Sequence, residues 1–200
     1  MKCNIIVAMC KYNNGIGLNC SLPWDIKEDL HHFSKLTKGT GKNAVIMGAN
    51  TYKSLNMPGL HDRDNFILSS RLKLDFTLKN TKDDNIKNDN IKNDNIKNDN
   101  IKNDNTKYIV KTFSDIDILL ETCKANNYDT VWIIGGSKIY REFLDRKLVN
   151  KCYVTLIHKL FDCDTTFPFN IINEWSIENK TELLCNNDYG FKIEVIEYKC

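Results

Sequence analysis

The stretch VWIIGGSKIYREF at Val131–Phe143 places an apolar run, a glycine pair and a candidate helix next to one another. The unbroken apolar run is typical of a strand buried on both faces, and the glycine pair would end it in a tight turn. Ser137 then stands where a helix begins. The stretch VIMGANTYKSL at 45–55 repeats this order, with Gly48 at the turn. Two such units predict an α/β fold with a mainly parallel sheet.

The same alternation of strands and helices continues through the rest of the chain. Strand candidates are the short apolar and β-branched runs at 4–9, 44–47, 65–69, 107–111, 130–134, 151–157, 175–180 and 191–198. Helix candidates are 25–37, a short helix from Asn50, 114–123 and 137–144. No helix separates the last strand candidates, so we expect antiparallel strands at that end of the sheet. The prediction is one domain over residues 1–200, with a mostly parallel central sheet of about eight strands and flanking helices.

Residues 81–106 interrupt this pattern, because only Asn, Asp, Lys, Ile and Thr occur there. The pentad NIKND starts at positions 85, 90, 95 and 100. A period of five places successive isoleucines about 140° apart on a helix and on alternate faces of a strand, so neither structure gains an apolar face. Stacked pentapeptide coils are the ordered alternative, but they require more repeats and small inward residues. We therefore expect a disordered, low-complexity loop insertion.

Composition argues against several classes of protein. The formal net charge of +2 over 200 residues carries no electrostatic signature of nucleic-acid or anionic-membrane binding. No apolar run approaches the length of a membrane-spanning helix. The eight cysteines are scattered and none forms a CxxC pair, which is typical of reduced thiols rather than of a disulfide framework or zinc site. We expect a cytoplasmic protein that binds no metal, nucleic acid or membrane.

The helix candidate WDIKEDLHHFSKL at 24–36 has a carboxylate among its apolar residues. At about 100° per residue, Leu30 and Phe33 fall on one arc that includes Asp29, whereas Glu28 lies on the opposite side and faces water. Burying an unpaired carboxylate is costly. Asp29 therefore either reaches solvent at the edge of the arc or lines an apolar pocket and binds a ligand there.

Three glycine-containing segments are candidates for the rest of a ligand site. The N–H groups that follow Gly48 and the pair Gly135-Gly136 could bind a pyrophosphate, although each turn is also consistent with a plain N-cap. The segment GIGLNCSLPW at 15–24 could be a mobile loop that closes over whatever Asp29 binds, or a flexible surface connection.

The motifs and their order resemble the dihydrofolate reductase family. The matching segments are IIVAM at 5–9, GIGLNCSLPW at 15–24, the acid Asp29, VIMGANTY at 45–52, ILSSR at 67–71, VWIIGGSKIY at 131–140, YVTLI at 153–157 and DTTFP at 164–168. They extend over nearly the whole chain outside the insertion. The resemblance implies NADPH-dependent reduction of 7,8-dihydrofolate to 5,6,7,8-tetrahydrofolate, by hydride transfer to C6 and protonation of N5. This reaction would supply one-carbon metabolism and thymidylate synthesis.

The resemblance also implies roles for individual residues toward the substrate. Asp29 would bind the 2-amino and N3 groups of the pterin and promote its protonation, Thr155 would hydrogen-bond Asp29, and Arg63 would bind the α-carboxylate of the glutamate tail. Leu22 would lie over the nicotinamide, and Trp24 would order a nearby water. The other positions that match the walls of the pterin and aminobenzoyl pocket are Val7, Ala8, Phe33, Leu55, Leu60, Ile134 and Tyr140.

A second group of positions matches the NADPH contacts of the family. They are Ala8, Ile16, Gly17, Gly48, Asn50, Thr51, Gly135, Gly136, Ser137, Lys138 and Ile139. In the family, the peptide between the two consecutive glycines is cis. Ala49 replaces a residue that is usually basic, so the candidates for the 2′-phosphate site are Ser69, Ser70, Arg71 and Lys111. Asp62 stands where the family often has glycine, and its charge could weaken the hold of Arg63 on an anionic tail.

Two other functions remain open at this point. One is a reductase of similar fold that acts on a pyrimidine or on another pterin. The other is a folate- or nucleotide-binding protein without efficient turnover, or a scaffold for the insertion. The combination of Asp29, Thr155 and Arg63 favours dihydrofolate, because a ribosyl pyrimidine has no glutamate tail. We expect a monomer unless the chain is natively fused to, or associated with, thymidylate synthase.

We predict that deleting residues 81–105 leaves reductase turnover within a few-fold of the intact chain and does not lower the melting temperature. The repeat offers no apolar face to bury, and a long surface loop adds little closure entropy. Turnover and thermal unfolding of the two proteins are the measurements. Loss of folding in the deletion variant would contradict the prediction, because it would mean that the repeat packs on the domain.

Overall fold

The computed structural model describes residues 1–79, 107–183 and 189–200. The strands are β1 Lys2–Cys10, β2 Gly15–Gly17, β3 Asn43–Gly48, β4 Asp64–Leu68, β5 Asp75–Lys79, β6 Lys107–Phe113, β7 Thr130–Gly135, β8 Lys151–Ile157, β9 Thr165–Thr166, β10 Ser176–Glu182 and β11 Ile193–Lys199. The helices are α1 Lys27–Lys38, α2 Ala49–Ser54, α3 Ile116–Ala125 and α4 Ser137–Asp145, with a 3₁₀ turn at Phe169–Ile171. The predicted insertion at 81–106 lies outside the described residues.

Nine of these strands form one sheet in the order β10-β11-β8-β1-β7-β3-β4-β6-β5. The six strands from β8 to β6 run parallel to their neighbours. The pairs β11–β8, β10–β11 and β5–β6 are antiparallel. The predicted α/β class, the mainly parallel sheet and its antiparallel C-terminal end are therefore confirmed.

The prediction missed three strands. Strand β5 is an edge strand with only two apolar side chains, and its pairing partner β6 follows it in sequence only after the insertion. The short strands β2 and β9 form a separate two-stranded sheet. They contain GIG and TT, which carry almost no apolar periodicity. Each of these strands depends on a distant partner, so the local sequence gives little indication of it.

The sheet separates two apolar cores. Helices α3 and α4 pack on one face through side chains such as Leu119 and Phe143, which meet Ile5 and Ile133 of the central strands. Helices α1 and α2 cover the other face, where Val45 and its neighbours are buried. This arrangement leaves the carboxyl ends of the parallel strands free to carry loops, which is where open α/β sheets bind ligands. In the described part of the chain, no helix is long and apolar enough to span a membrane.

Candidate active site

A cavity of about 1000 Å³ opens at the carboxyl ends of β1, β3 and β7, a size that accommodates more than one small ligand. Most of the positions predicted to bind ligands lie in its wall. They are Val7, Ala8, Ile16, Gly17, Leu22, Asp29, Phe33, Gly48, Asn50, Thr51, Leu55, Ile134, Gly136, Ser137, Lys138, Ile139 and Tyr140. The structure thus brings together residues from β1, the 15–24 loop, α1 and the two glycine turns.

Asp29 is buried in this wall, with 7% of its surface exposed. Thr155 donates a hydrogen bond from its hydroxyl to the Asp29 carboxylate. The two residues meet because Thr155 pairs with Ala8 in the β1–β8 register, beneath the first turn of α1. Burial raises the pKa of Asp29 to about 6, and the bond from Thr155 lowers it only in part. Asp29 therefore lies in the wall of the cavity and does not reach solvent at the edge of the helix; that it binds a ligand there stays a prediction.

Two neighbours of Asp29 on α1 differ from the helical prediction. Glu28 does not simply face water: it is half-buried and accepts a hydrogen bond of 2.8 Å from the Tyr189 hydroxyl. Leu30 is 50% exposed instead of packing in the core, and it lines the cavity. Both differences have a tertiary cause, because Tyr189 contacts one side of α1 and the cavity opens on the other.

The two glycine turns lie against each other. A Cβ atom built on Gly48 would lie 3.1 Å from Ile139 of α4, and one built on Gly136 would lie 3.4 Å from Thr51 of α2. Gly135 has φ +112, and its Cβ would lie 3.1 Å from the Tyr140 ring. The peptide between the two consecutive glycines is cis. Glycine is therefore required at the end of β7, both by the backbone conformation and by the space available.

Neither helix that follows these turns has a side-chain cap. The N-cap positions are Gly48 for α2 and Gly136 for α4, and no side-chain hydrogen bond is made at either. Ser137 is thus the first residue of α4 and not its cap. An uncapped helix start presents free N–H groups. The two turns together therefore favour an anion-binding role over the plain N-cap reading.

The 15–24 segment is anchored as well as positioned over the cavity. Strand β2 pairs with β9, Asp164 donates its N–H to the Gly17 carbonyl at 3.0 Å, and its carboxylate accepts from the Asn19 N–H at 2.8 Å. The bond from the Asn19 N–H, followed by one from the Thr165 hydroxyl, lowers the pKa of the Asp164 carboxyl. Asp164 belongs to the DTTFP motif, but the sequence predicted no role for it. Its position within that motif was the signal that could have identified it.

Other cavity-lining residues also escaped the sequence prediction. They are Ile6, Cys20, Ser21, Leu30, Ala49, Ser54, Leu68, Asp164, Thr165 and Thr166. Most of them are neighbours of predicted positions, but the β9 residues come from a part of the chain far from the rest. Only the pairing of β2 with β9 brings them to the cavity.

Several predicted site residues lie outside the cavity wall, although all of them are described. They are Trp24, Leu60, Arg63, Ser69, Ser70, Arg71, Lys111, Gly135 and Thr155. Thr155 and Gly135 lie directly behind the wall, against Asp29 and Tyr140 respectively. The indole N–H of Trp24 is buried without a hydrogen-bond partner among the described residues, which fits the predicted ordering of a water.

Arg63 is buried, with 5% of its surface exposed. Its Nε donates to the His61 carbonyl at 2.8 Å, and Nη1 donates to the Thr37 hydroxyl of α1. Burial lowers the pKa of Arg63 to about 10, and the nearby Asp62 opposes this shift. The Asp62 carboxylate itself pairs with Lys38 at 2.6 Å. Its charge is therefore partly neutralised, which reduces the expected interference with an anionic ligand at Arg63.

The four candidates for the 2′-phosphate site lie near one end of the sheet but do not all point to one place. The Ser69 hydroxyl accepts from the Arg71 and Leu72 N–H groups at 3.3 and 3.0 Å, which shapes the turn after β4. Ser70 and Arg71 are exposed on that turn. Lys111 instead pairs with Asp75 of the adjacent strand β5 at 3.2 Å.

Comparison with known proteins shows the family to which this chain is similar. The family model described as dihydrofolate reductase matches residues 2–97 and 94–199. Dihydrofolate reductase of Heliothis virescens is 30% identical over 96% of this chain and 96% of its own length. That of Drosophila melanogaster is 32% identical over 84% of this chain and 80% of its own length.

Among solved structures, dihydrofolate reductase from Enterococcus faecalis, complexed with NADP(H), superimposes with a TM-score of 0.68. The alignment covers 99% of this chain and 95% of that one, at 19% identity, and it supports the fold. Since the family model matches both sides of the insertion, and relatives at 30% identity or more align over most of the chain, this chain belongs to the dihydrofolate reductase family.

Proposed function

We propose that this chain reduces 7,8-dihydrofolate to 5,6,7,8-tetrahydrofolate with NADPH, by hydride transfer to C6 and protonation of N5. The observation that carries the proposal is a buried carboxylate, Asp29, which lies in the wall of an apolar-lined cavity and is held by Thr155. A pterin offers adjacent N–H donors that match the two oxygens of a carboxylate. Their hydrogen bonds would replace the hydration that Asp29 loses on burial.

Asp29 would orient the pterin and assist the delivery of a proton to N5. A group with a pKa near 6 is partly protonated close to neutral pH, which is the condition for acid catalysis. A water held by the unpaired indole N–H of Trp24 is a suitable carrier for that proton. Phe33 and Leu22 would pack against the rings and exclude bulk water from the reacting atoms.

NADPH supplies the hydride when it is bound, and the protein supplies its orientation. The uncapped start of α4, with Gly135, Gly136, Ser137, Lys138 and Ile139, would bind the pyrophosphate together with Gly48, Asn50 and Thr51. Ala8, Ile16 and Gly17 would lie beside the nicotinamide. At the other end, Ser70 and the exposed Arg71 are the best-placed groups for the 2′-phosphate, with Ser69 shaping their turn. Lys111 would join them only by leaving Asp75.

Arg63 would bind the α-carboxylate of the glutamate tail, with Leu55 and Leu60 packing on the aminobenzoyl group between tail and pterin. The guanidinium is positioned from two sides, by the His61 carbonyl and the Thr37 hydroxyl. Its remaining N–H groups have no partner among the described residues. A buried cation with free donors favours an anionic ligand.

We further propose that the protein acts in the cytoplasm, and as a monomer unless it is natively fused to or associated with thymidylate synthase. The cysteines of the described residues are all free, which supports a reducing compartment.

The direct test of the proposed function is to follow NADPH absorbance on adding dihydrofolate to the purified protein. A fall that requires both protein and dihydrofolate supports the proposal. If the protein binds dihydrofolate but the absorbance does not change, the function is binding without reduction.

We predict that Asp29→Asn lowers kcat near neutral pH by about 10² to 10⁴, the usual contribution of a positioned acid or base. Affinity for NADPH should stay near that of the unmodified protein. Activity of the variant should recover as the pH falls, because solvent can then protonate the substrate. Glu28→Gln is the matched control: its side chain keeps an acceptor for Tyr189 and should leave kcat nearly unchanged. If Glu28→Gln lowered kcat and Asp29→Asn did not, the catalytic role would belong to Glu28 and not to Asp29.

We predict that Asp29→Asn also stabilises the ligand-free protein, by an amount that grows as the pH rises from about 4 to about 6 and is fully present above that. The folded-state pKa of Asp29 is about 6, against about 3.9 for an unfolded chain, so ionisation destabilises the folded state increasingly between these values. The gain should be about 3 kcal/mol at pH 7.5 and below about 1 kcal/mol near pH 4. Urea unfolding at both pH values measures it. The exposed Asp162→Asn is the control and should show the same small effect at each pH.

We predict that Arg63→Ala raises the KM for dihydrofolate much more than the KM for NADPH. A truncated dihydropterin without the glutamate tail provides the internal control, because its KM should not change. Steady-state kinetics with both substrates measure the difference, and Arg63→Lys serves as a second variant that retains the charge. Equal losses with the two pterins would mean that Arg63 supports the fold rather than the tail.

A further inference from the structure

Two cysteines lie together beneath the 15–24 loop. Cys10 is the last residue of β1 and is fully buried, and Cys163 lies two residues before β9 and is half-buried. The two thiols are close enough to affect each other's ionisation, and the backbone of Phe161 also interacts with the Cys10 thiol. Both side chains belong to one apolar cluster that includes Trp24. Both are free thiols, so the pair is in its reduced form.

This pair differs from the other close pair of cysteines in its access to solvent. Cys3 and Cys123 are also neighbours, but both are buried, and burial raises the pKa of each thiol to about 12. In the first pair, Cys163 is only half-buried, so it is the more accessible of the two residues to a small oxidant. Burial raises the pKa of Cys10, so its thiol is poorly suited to react first. The pair therefore combines a half-buried residue, Cys163, with a fully buried thiol, Cys10, in the same cluster.

Cys163 is connected to the loop over the cavity in two ways. Its sulfur packs on Gly15, the first residue of β2, where a Cβ atom would lie 2.4 Å from the Cys163 Sγ. The next residue, Asp164, bonds the loop at Gly17 and Asn19. Any change at the Cys163 side chain is therefore transmitted to both ends of β2.

We propose that Cys10 and Cys163 are a redox modification site, at which a hydroperoxide converts the two thiols to a disulfide that restrains the 15–24 loop. In the first step, the Cys163 sulfur attacks hydrogen peroxide, becomes a sulfenic acid, and one water leaves. In the second step, the Cys10 sulfur attacks the Cys163 sulfur, the S–S bond forms, and a second water leaves. Two thiols are oxidised and one peroxide is reduced to two waters. A dithiol reductant reverses the change.

The disulfide would join the end of β1 to the segment that holds the loop. In the reduced protein, that segment is attached to the loop by β2–β9 pairing and by Asp164. A covalent link to β1 adds a fixed point in the central sheet. Opening of such loops often limits turnover, so a restrained loop should turn over more slowly.

The test treats the intact protein with hydrogen peroxide, alkylates the remaining thiols and maps the tryptic peptides by mass. The expected product links peptide 3–11 to peptide 160–180, and fragmentation distinguishes Cys10 from Cys3 within the first of them. The link should disappear on adding dithiothreitol. Over the same treatment, kcat should fall at least about twofold and should recover with the reductant. The matched control, Cys200→Ser, removes an exposed thiol at the C-terminus and should behave like the unmodified protein.

Cys163→Ser should form no link and should keep its kcat in peroxide, and Cys163→Ala serves the same purpose if the serine variant folds poorly. If Cys200 is oxidised while Cys10 and Cys163 stay reduced and become alkylated, the proposed site is wrong. A link without a change in kcat would overturn the restraint of the loop. A loss of kcat that persists in Cys163→Ser would assign the effect to Cys20 in the cavity wall instead. The peptide mapping detects the disulfide whether or not the protein reduces dihydrofolate. A missing disulfide can therefore be told apart from a missing reductase activity.

Discussion

The burial of one carboxylate, Asp29, is the constraint on which the rest of the site depends. The residue lies in the first turn of α1, where free N–H groups favour a negative charge, and it accepts a hydrogen bond from Thr155. Burial nevertheless outweighs both effects, because the pKa is raised and not lowered. A domain that retains such a group carries a local cost in stability. In the proposed function, that cost is offset when the pterin donates its N–H groups.

The position of Asp29 in the cavity wall depends on three parts of the fold. Strand β8 must lie beside β1 so that Thr155 reaches the carboxylate, and α1 must cover that face of the sheet. The 15–24 loop must then lie over the opening, which the small β2–β9 sheet and Asp164 achieve. The Cys10–Cys163 pair lies where these parts meet. Its oxidation would therefore act on the loop without touching the carboxylate.

The glycine turns impose a second constraint, of space rather than charge. Gly48 and Gly136 allow α2 and α4 to begin in contact, and a side chain at Gly48 would press on Ile139. Close approach of the backbones leaves two uncapped helix starts on one side of the cavity. A charge-bearing ligand there would meet these N–H groups in addition to side chains such as Lys138. The absence of a basic residue at Ala49 is consistent with this reliance on the backbone.

Local patterns in the sequence were sufficient for most of the sheet and the four helices, and they placed Asp29 on the apolar arc of α1 without deciding whether it is buried. Apolar runs mark central strands because both of their faces are buried, and the helical period separates Asp29 from Glu28 within two adjacent residues. Resemblance to the family supplied most positions that line the cavity. Strands β2, β5 and β9, the contact between Glu28 and Tyr189, and the pairing of Asp62 with Lys38 could not be read locally. Each of them joins segments that are distant in sequence, and their energies come from partners that only the folded chain brings together.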